Sequence, residues 1–109
     1  EGDVIRVEGH TDDVPMGNKL KYANNWELSV ARATNVGVFM IEKNGYDPDL
    51  ISITGHADTR PRISYTSETG QRKLGKVLKE ARKANRRVDL IFARPAASEQ
   101  IRRFFPEQE

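Results

Sequence analysis

Two short β-branched segments, each ending in Gly-His and separated by one long amphipathic segment, constrain the fold of this chain more than any other feature. Residues 4–8 lead into GHTDDVP, and residues 50–54 lead into the similar GHADTRP. β-branched residues favour strands, so both segments are predicted to be strands. Strand, helix and strand in this order predict a βαβ unit, whose strands are parallel and joined by a right-handed crossover.

The long amphipathic segment between them predicts a helix with defined ends. Asn24 and Asn25 offer side-chain caps for its start, and Gly45 favours an end just after Lys43. Apolar residues recur at helical spacing within it and predict one buried stripe. The members of this stripe are Leu28, Ala31, Val36, Phe39 and Met40.

The C-terminal part predicts a second helix and a third strand. Residues 72–84 are amphipathic with a basic outer face, and residues 87–92 are β-prone. The predicted buried stripe of the second helix consists of Leu74, Val77, Leu78 and Ala81. Residues 98–105 predict a short helix in the tail. The predicted fold class is therefore α/β, an α+β sandwich made of a βαβ unit plus a further helix and strand, with the helices on one mixed sheet.

Length and composition indicate one soluble globular domain, which we place at residues 1–95, followed by a tail at 96–109. The 109 residues are 37% hydrophobic, and no stretch approaches the roughly 20 apolar residues of a membrane span. Cysteine is absent, which excludes disulfides and thiolate metal sites. Residues 1–70 hold 7 basic against 11 acidic residues, net −4, and residues 71–109 hold 11 against 5, net +6. No aromatic platform accompanies the basic residues, so we expect no nucleic-acid partner.

The two Gly-His motifs should be neighbours, because parallel strands end at the same edge of a sheet. One hypothesis is then a metal-dependent hydrolase that uses the two histidines and the two aspartates of the motifs. These residues are His10, Asp12, His56 and Asp58. The sequence has no helical His-x-x-x-His pair and no third carboxylate at the spacing of a metal ligand. We therefore expect no metal site, no cofactor and no catalytic residue.

A second pairing gives a binding site. Asp12 follows the first strand, and Arg32 lies on the second turn of the first helix, so the two side chains could flank one cleft. A carboxylate and a guanidinium held apart would bind the ammonium and the carboxylate of an amino-acid-like ligand. An ordinary salt bridge between Asp12 and Arg32 is the alternative.

Three motifs together resemble the OmpA-like peptidoglycan-binding domain. They are GHTD, the pattern N-x-x-L-S-x-x-R-A-x-x-V over residues 25–36, and NRRV over residues 85–88. The NWELS sequence and the Val-Pro after GHTD are most similar to the MotB branch, the flagellar motor stator proteins. This resemblance implies that Asp12 binds the amine and Arg32 the carboxylate of diaminopimelate in the peptidoglycan stem peptide. It also implies that Thr11, Asn25 and Arg86 line the site, that His10 is structural and that GHADTRP is a turn without a ligand of its own.

The resemblance further implies a non-enzymatic wall anchor in the periplasm, part of an inner-membrane protein. Its implied partners are peptidoglycan, a second copy in a homodimer, and a channel-forming stator subunit reached through a membrane segment outside this sequence. An OmpA- or Pal-type outer-membrane tether is the alternative. Two departures from the family pattern stand out: its N-terminal strand and helix are missing, and the basic segment 70–84 is longer than usual.

Overall fold

The computed structural model describes residues 3–17 and 21–93, together with the backbone of 100–106. A short 3₁₀ turn, Pro48–Leu50, precedes the second strand. The helices and strands are β1 (Val4–His10), α1 (Asn25–Asn44), β2 (Ile51–Gly55), α2 (Gly75–Asn85), β3 (Arg87–Ala93) and β4 (Gln100–Pro106). Within these described residues, neither helix has the length and apolar character needed to cross a membrane.

The strands form one mixed sheet in the order β2-β1-β3-β4. β1 and β2 run parallel, with Ile5 opposite Ile51, which confirms the predicted βαβ unit. β3 is antiparallel to β1, with Val7 opposite Leu90. The predicted α/β class with helices and a mixed sheet is therefore confirmed.

α1 has the predicted bounds because its ends are capped as the sequence indicated. The side chain of Asn24 accepts a hydrogen bond from the backbone N–H of Glu27 at 2.9 Å. Gly45 closes the other end in the left-handed conformation, with φ 68°. Both groups satisfy backbone atoms that a helix end leaves without partners inside the helix.

The buried face of α1 differs from the predicted apolar stripe. Ser29, Ala33 and Gly37, spaced four residues apart, are its buried residues, whereas Phe39 is 57% exposed. The reason is the closeness of the helix to the sheet: a Cβ atom on Gly9 would lie 2.0 Å from the backbone oxygen of Ser29. Val36 and Met40 of the predicted stripe pack beside the core. That core consists of Ile5, Val7, Ala33, Val88 and Leu90.

The predicted start of α2 was wrong, and its predicted buried stripe was right only in part: Ala81 is 2% exposed and Leu78 is half-buried. The helix begins at Gly75, and Leu74 and Val77 are 74% and 59% exposed. A polar contact also holds its C-terminal end. The buried Asn85 side chain accepts hydrogen bonds from the backbone N–H groups of Arg62 and Ile63 at 2.7 and 2.8 Å. Because hydrogen bonds also position this helix against a loop, the apolar pattern marks its contact face only in part.

The short helix predicted at residues 98–105 was also wrong. Residues 100–106 form β4, which pairs antiparallel with β3, with Val88 opposite Phe105. Short apolar segments fit either a helix or a strand, and here the open edge of β3 supplies backbone partners for a strand.

The close contact at Gly9 predicts a large effect of one added methyl group. In Gly9→Ala, the new Cβ meets helix backbone that has no freedom to rotate away, so we expect a loss of about 3 kcal/mol or more in the free energy of unfolding. Gly45→Ala is the matched control, because nothing lies within 4 Å of its Cβ position. Its left-handed backbone should cost only about 1 kcal/mol. Urea unfolding of both variants measures the difference, and equal losses would contradict the close contact.

Candidate functional site

The two Gly-His turns lie side by side at the carboxyl ends of β1 and β2, as expected. The backbone N–H of His56 donates to the carbonyl of Gly9 at 3.0 Å, and that of Thr11 donates to the carbonyl of Ala57 at 2.8 Å. These two hydrogen bonds continue the pairing of the parallel strands just beyond their carboxyl ends. The two turns are therefore joined directly by backbone hydrogen bonds.

Asp12 lies at the centre of the first turn and is held by several contacts. Its Oδ2 accepts a hydrogen bond from Nη1 of Arg86 at 2.8 Å, and its Oδ1 accepts one from the backbone N–H of Val14 at 3.0 Å. Thr11 Oγ1 donates to the Asp12 carbonyl at 2.9 Å, and Asn25 Nδ2 donates to the Val14 carbonyl at 3.1 Å. Four of the five predicted binding residues are thus brought together: Thr11, Asp12, Asn25 and Arg86.

The fifth predicted residue, Arg32, is half-buried on α1, one position before the fully buried Ala33. Within the described part of the chain, the ion-pair contact of Asp12 is with Arg86. The Asp12–Arg32 salt bridge that the sequence left open is therefore not the contact that Asp12 makes. A separate role for Arg32 in ligand binding stays a prediction.

Asp13 joins the first turn to the basic C-terminal part, a connection that the sequence did not reveal. Its carboxylate pairs with Arg72 and with Nε of Arg82, the latter at 2.8 Å. Burial alone would raise the pKa of Asp13, but hydrogen bonds from Arg82 and Arg72 outweigh it and hold the pKa below its usual range. The guanidinium of Arg72 also lies 5.2 Å from the ring centre of Tyr65. The opposite net charges of residues 1–70 and 71–109 were the only signal for this pairing.

Ser29 of the Leu-Ser pair fixes the second turn to α1. Its Oγ accepts a hydrogen bond from the backbone N–H of Ala57 at 3.0 Å and donates to the carbonyl of Trp26 at 2.9 Å. Ala57 is 1% exposed and has a φ of 52°, a left-handed conformation that is unfavourable for a residue with a side chain. The Ser29 hydroxyl therefore helps to hold a strained turn beside the turn that carries Asp12.

The two histidines meet on the sheet face opposite α1. Their rings stack with centroids 5.1 Å apart at 27°. Nε2 of His56 lies 3.1 Å from Oε1 of Glu8, and Nε2 of His10 lies 3.4 Å from Oδ2 of Asp89. Of the four residues in the hydrolase hypothesis, only the histidines come together. Asp12 is paired with Arg86, Asp58 is exposed, and the metal-ligand cluster found among the described residues contains Glu8 in their place.

The electrostatics of this face favour a neutral His56 and a charged Asp89. Burial lowers the pKa of His56, an effect that the nearby Glu8 carboxylate opposes without cancelling. Burial raises the pKa of Asp89, but contacts with His10 and Arg87 outweigh it and leave the pKa lowered. His56 therefore presents a neutral imidazole at neutral pH.

Comparison with known proteins gives one consistent result. Residues 1–75 match the OmpA family. Motility protein B of Bacillus subtilis is 32% identical over 95 residues, which are 87% of this chain and 32% of that protein. The periplasmic domain of Helicobacter pylori MotB superposes with a TM-score of 0.68 at 28% identity, over 88% of this chain and 51% of that one. The cell wall anchor of the type VI secretion system from Pseudomonas aeruginosa gives 0.62 at 32% identity, over 81% and 52%.

In each comparison, the similarity covers only part of the other protein. The chain spans about a third of the length of the curated relative and about half of each of these solved structures. These comparisons therefore identify the type of domain in this chain, and not the activity of the longer relatives.

The lowered pKa of Asp13 predicts a pH-dependent contribution to stability. A carboxylate with a lowered folded-state pKa stabilises the fold above its unfolded pKa, and this stabilisation is lost as pH falls through the folded value. Asp13→Asn should therefore lower the free energy of unfolding by about 1 to 2 kcal/mol at neutral pH, the partly exposed arginines reducing the effect. The difference from the parent should shrink below about pH 4.

Urea unfolding from pH 7 to pH 3 measures this difference, with Asp49→Asn on the exposed turn before β2 as the control. A difference between parent and Asp13→Asn that stayed constant across this range would show that the ion pairs are not its cause.

Proposed function

Because the chain belongs to the OmpA family and resembles the periplasmic domains of MotB proteins, we propose that it binds peptidoglycan without turnover and anchors a flagellar motor stator to the cell wall. The observation that carries the proposal is the grouping of Thr11, Asp12, Asn25 and Arg86 at the carboxyl end of β1. Open α/β sheets bind ligands at this edge. The site is polar and charged, as recognition of a wall peptide requires.

Asp12 is suited to receive the ammonium group of diaminopimelate. A carboxylate has about four acceptor positions, and the Asp12 side chain uses two of them for Arg86 and the Val14 backbone. The side chains of Asp12 and Arg86 are 14% and 30% exposed, so a ligand can reach them. Arg86 holds the carboxylate in place, and a ligand ammonium would add a third charge-assisted contact.

Arg32 is the proposed partner of the diaminopimelate carboxylate. A guanidinium binds a carboxylate through two parallel hydrogen bonds, which fixes orientation as well as charge. Asp12 and Arg32 would then hold the two ends of the zwitterion, while Thr11 and Asn25 shape the turn between them. This division of roles makes recognition depend on both charges of the ligand.

The proposed setting follows from the relatives. The Helicobacter pylori relative is a periplasmic domain, which supports a periplasmic location. In a motor, the domain would act as part of a homodimer and would be tied to a channel-forming stator subunit through sequence outside this chain. The likeness to the Pseudomonas aeruginosa cell wall anchor favours a second candidate of the same binding class, a wall tether for a different envelope assembly.

Cosedimentation with purified peptidoglycan tests the binding site. Asp12→Asn and Arg32→Ala each remove a charge-assisted contact worth about 1.5 to 3 kcal/mol, so each should weaken binding about tenfold or more. Asp58→Asn is the matched control for the first, because it changes the equivalent position of GHADTRP. Lys43→Ala, at the far end of α1, is the control for the second.

A second ligand separates the two roles. Peptidoglycan with lysine in place of diaminopimelate keeps the amine but lacks the carboxylate. The parent should therefore prefer the diaminopimelate form, Arg32→Ala should lose this preference, and Asp12→Asn should weaken binding to both. If the folded parent and variants bound both polymers equally, the proposed site would be wrong.

A further inference from the structure

We propose that Glu8, His10 and His56 form a binding site for a divalent transition metal ion of the zinc type. One ligand atom from each of these residues lies within 4.8 Å of the others. The sequence led us to expect no metal site, so this proposal differs from that expectation. It does not rest on peptidoglycan binding. It concerns the sheet face opposite α1, away from the Asp12 side chain.

The sheet geometry brings these ligands together. Side chains alternate between faces along a strand, so Glu8 and His10 lie on the face opposite Ile5 and Val7, which pack in the core. His56 follows the last residue of the neighbouring parallel strand and stacks on His10. The three ligands therefore come from two adjacent strands whose register is fixed by backbone hydrogen bonds, with Gly9 opposite Gly55.

The distances fit a small ion. Two ligands of a tetrahedral zinc ion at 2.0 to 2.1 Å from the metal are about 3.3 Å apart. Oε1 of Glu8 and Nε2 of His56 are 3.1 Å apart, close to this value. The remaining separations, up to 4.8 Å, are longer, so binding would require the imidazole rings to turn toward the ion. Two imidazoles and one carboxylate match zinc better than magnesium or calcium, which prefer oxygen ligands.

His10 supplies a second, independent reason. Its side chain is deeply buried, with the residue 2% exposed, and its Nδ1 has no hydrogen bond within the described residues, while its Nε2 lies 3.4 Å from Oδ2 of Asp89. A buried nitrogen without such a bond is unfavourable, and native proteins rarely leave one in this state. A metal ion would satisfy a ring nitrogen that no described group satisfies.

The surrounding charges are arranged as supports for such ligands. Arg6 binds Oε2 of Glu8 and leaves Oε1 facing His56. Asp89, which lies beside Nε2 of His10, is itself held by Nε of Arg87 at 3.2 Å. Carboxylates beside ligating histidines and donors behind ligating carboxylates orient the first set of ligands in known metal sites. A bound ion would pin the turn after β2 to β1, two residues before Asp12.

The test uses the chain without any affinity tag, freed of metal with a chelator and dialysed. We expect zinc to bind with 1:1 stoichiometry by calorimetry and to raise the unfolding midpoint by about 5 °C or more at about 100 times its Kd. Magnesium at the same concentration should give no shift. Cobalt should produce the intense visible absorption of a four-coordinate ion.

Glu8→Gln and His56→Gln replace each ligand with a side chain of similar size. Each should weaken zinc binding more than tenfold. Asp58→Asn, an exposed aspartate in the same turn, is the matched control and should bind zinc like the parent. Unfolding without metal establishes that each variant is folded. If zinc gave no shift in the parent, or an equal shift in a folded Glu8→Gln or His56→Gln variant, the site would be refuted.

Discussion

The close approach of α1 to the first two strands is the constraint on which the rest of the structure depends. A Cβ on Gly9 would lie 2.0 Å from the oxygen of Ser29, and one on Gly55 would lie 2.5 Å from its Oγ. Only a helix face of small residues permits this distance, and Ser29 then reaches the turn after β2. The same contact that forms the core therefore sets the positions of both Gly-His turns.

Local sequence patterns correctly predicted the helix and strands whose conformation depends mainly on residues close by in the sequence. α1 and the parallel pair β1 and β2 follow from caps, periodicity and β-branched segments, and the structure confirms them. The face of α1 was not predictable in this way, because Ser29, Ala33 and Gly37 carry little hydrophobic signal. β4 was missed because its conformation depends on the edge of β3, to which no local pattern points. The grouping of Asp12 with Arg86 came from the family resemblance, since the two residues lie far apart in sequence.

The two similar motifs differ in chemistry although they are in contact. GHTD places Asp12 beside Arg86 at the edge of the sheet, and GHAD places a left-handed Ala57 against α1. Their histidines turn to the other face and stack. The same pair of turns thus contributes side chains both to the polar edge of the sheet and to a buried polar face. Both roles require the two turns to keep their relative position, and backbone hydrogen bonds join the turns to each other.

The central position of β1 has a mechanical consequence. This strand is bonded to β2 on one side and to β3 on the other, and Asp12 follows directly after its carboxyl end. A load applied at Asp12 and resisted at the start of β1 runs along the strand. It therefore shears the hydrogen bonds of both neighbours simultaneously, instead of opening them one after another. In the role proposed above, a load from the cell wall would act in the direction in which a sheet resists rupture best.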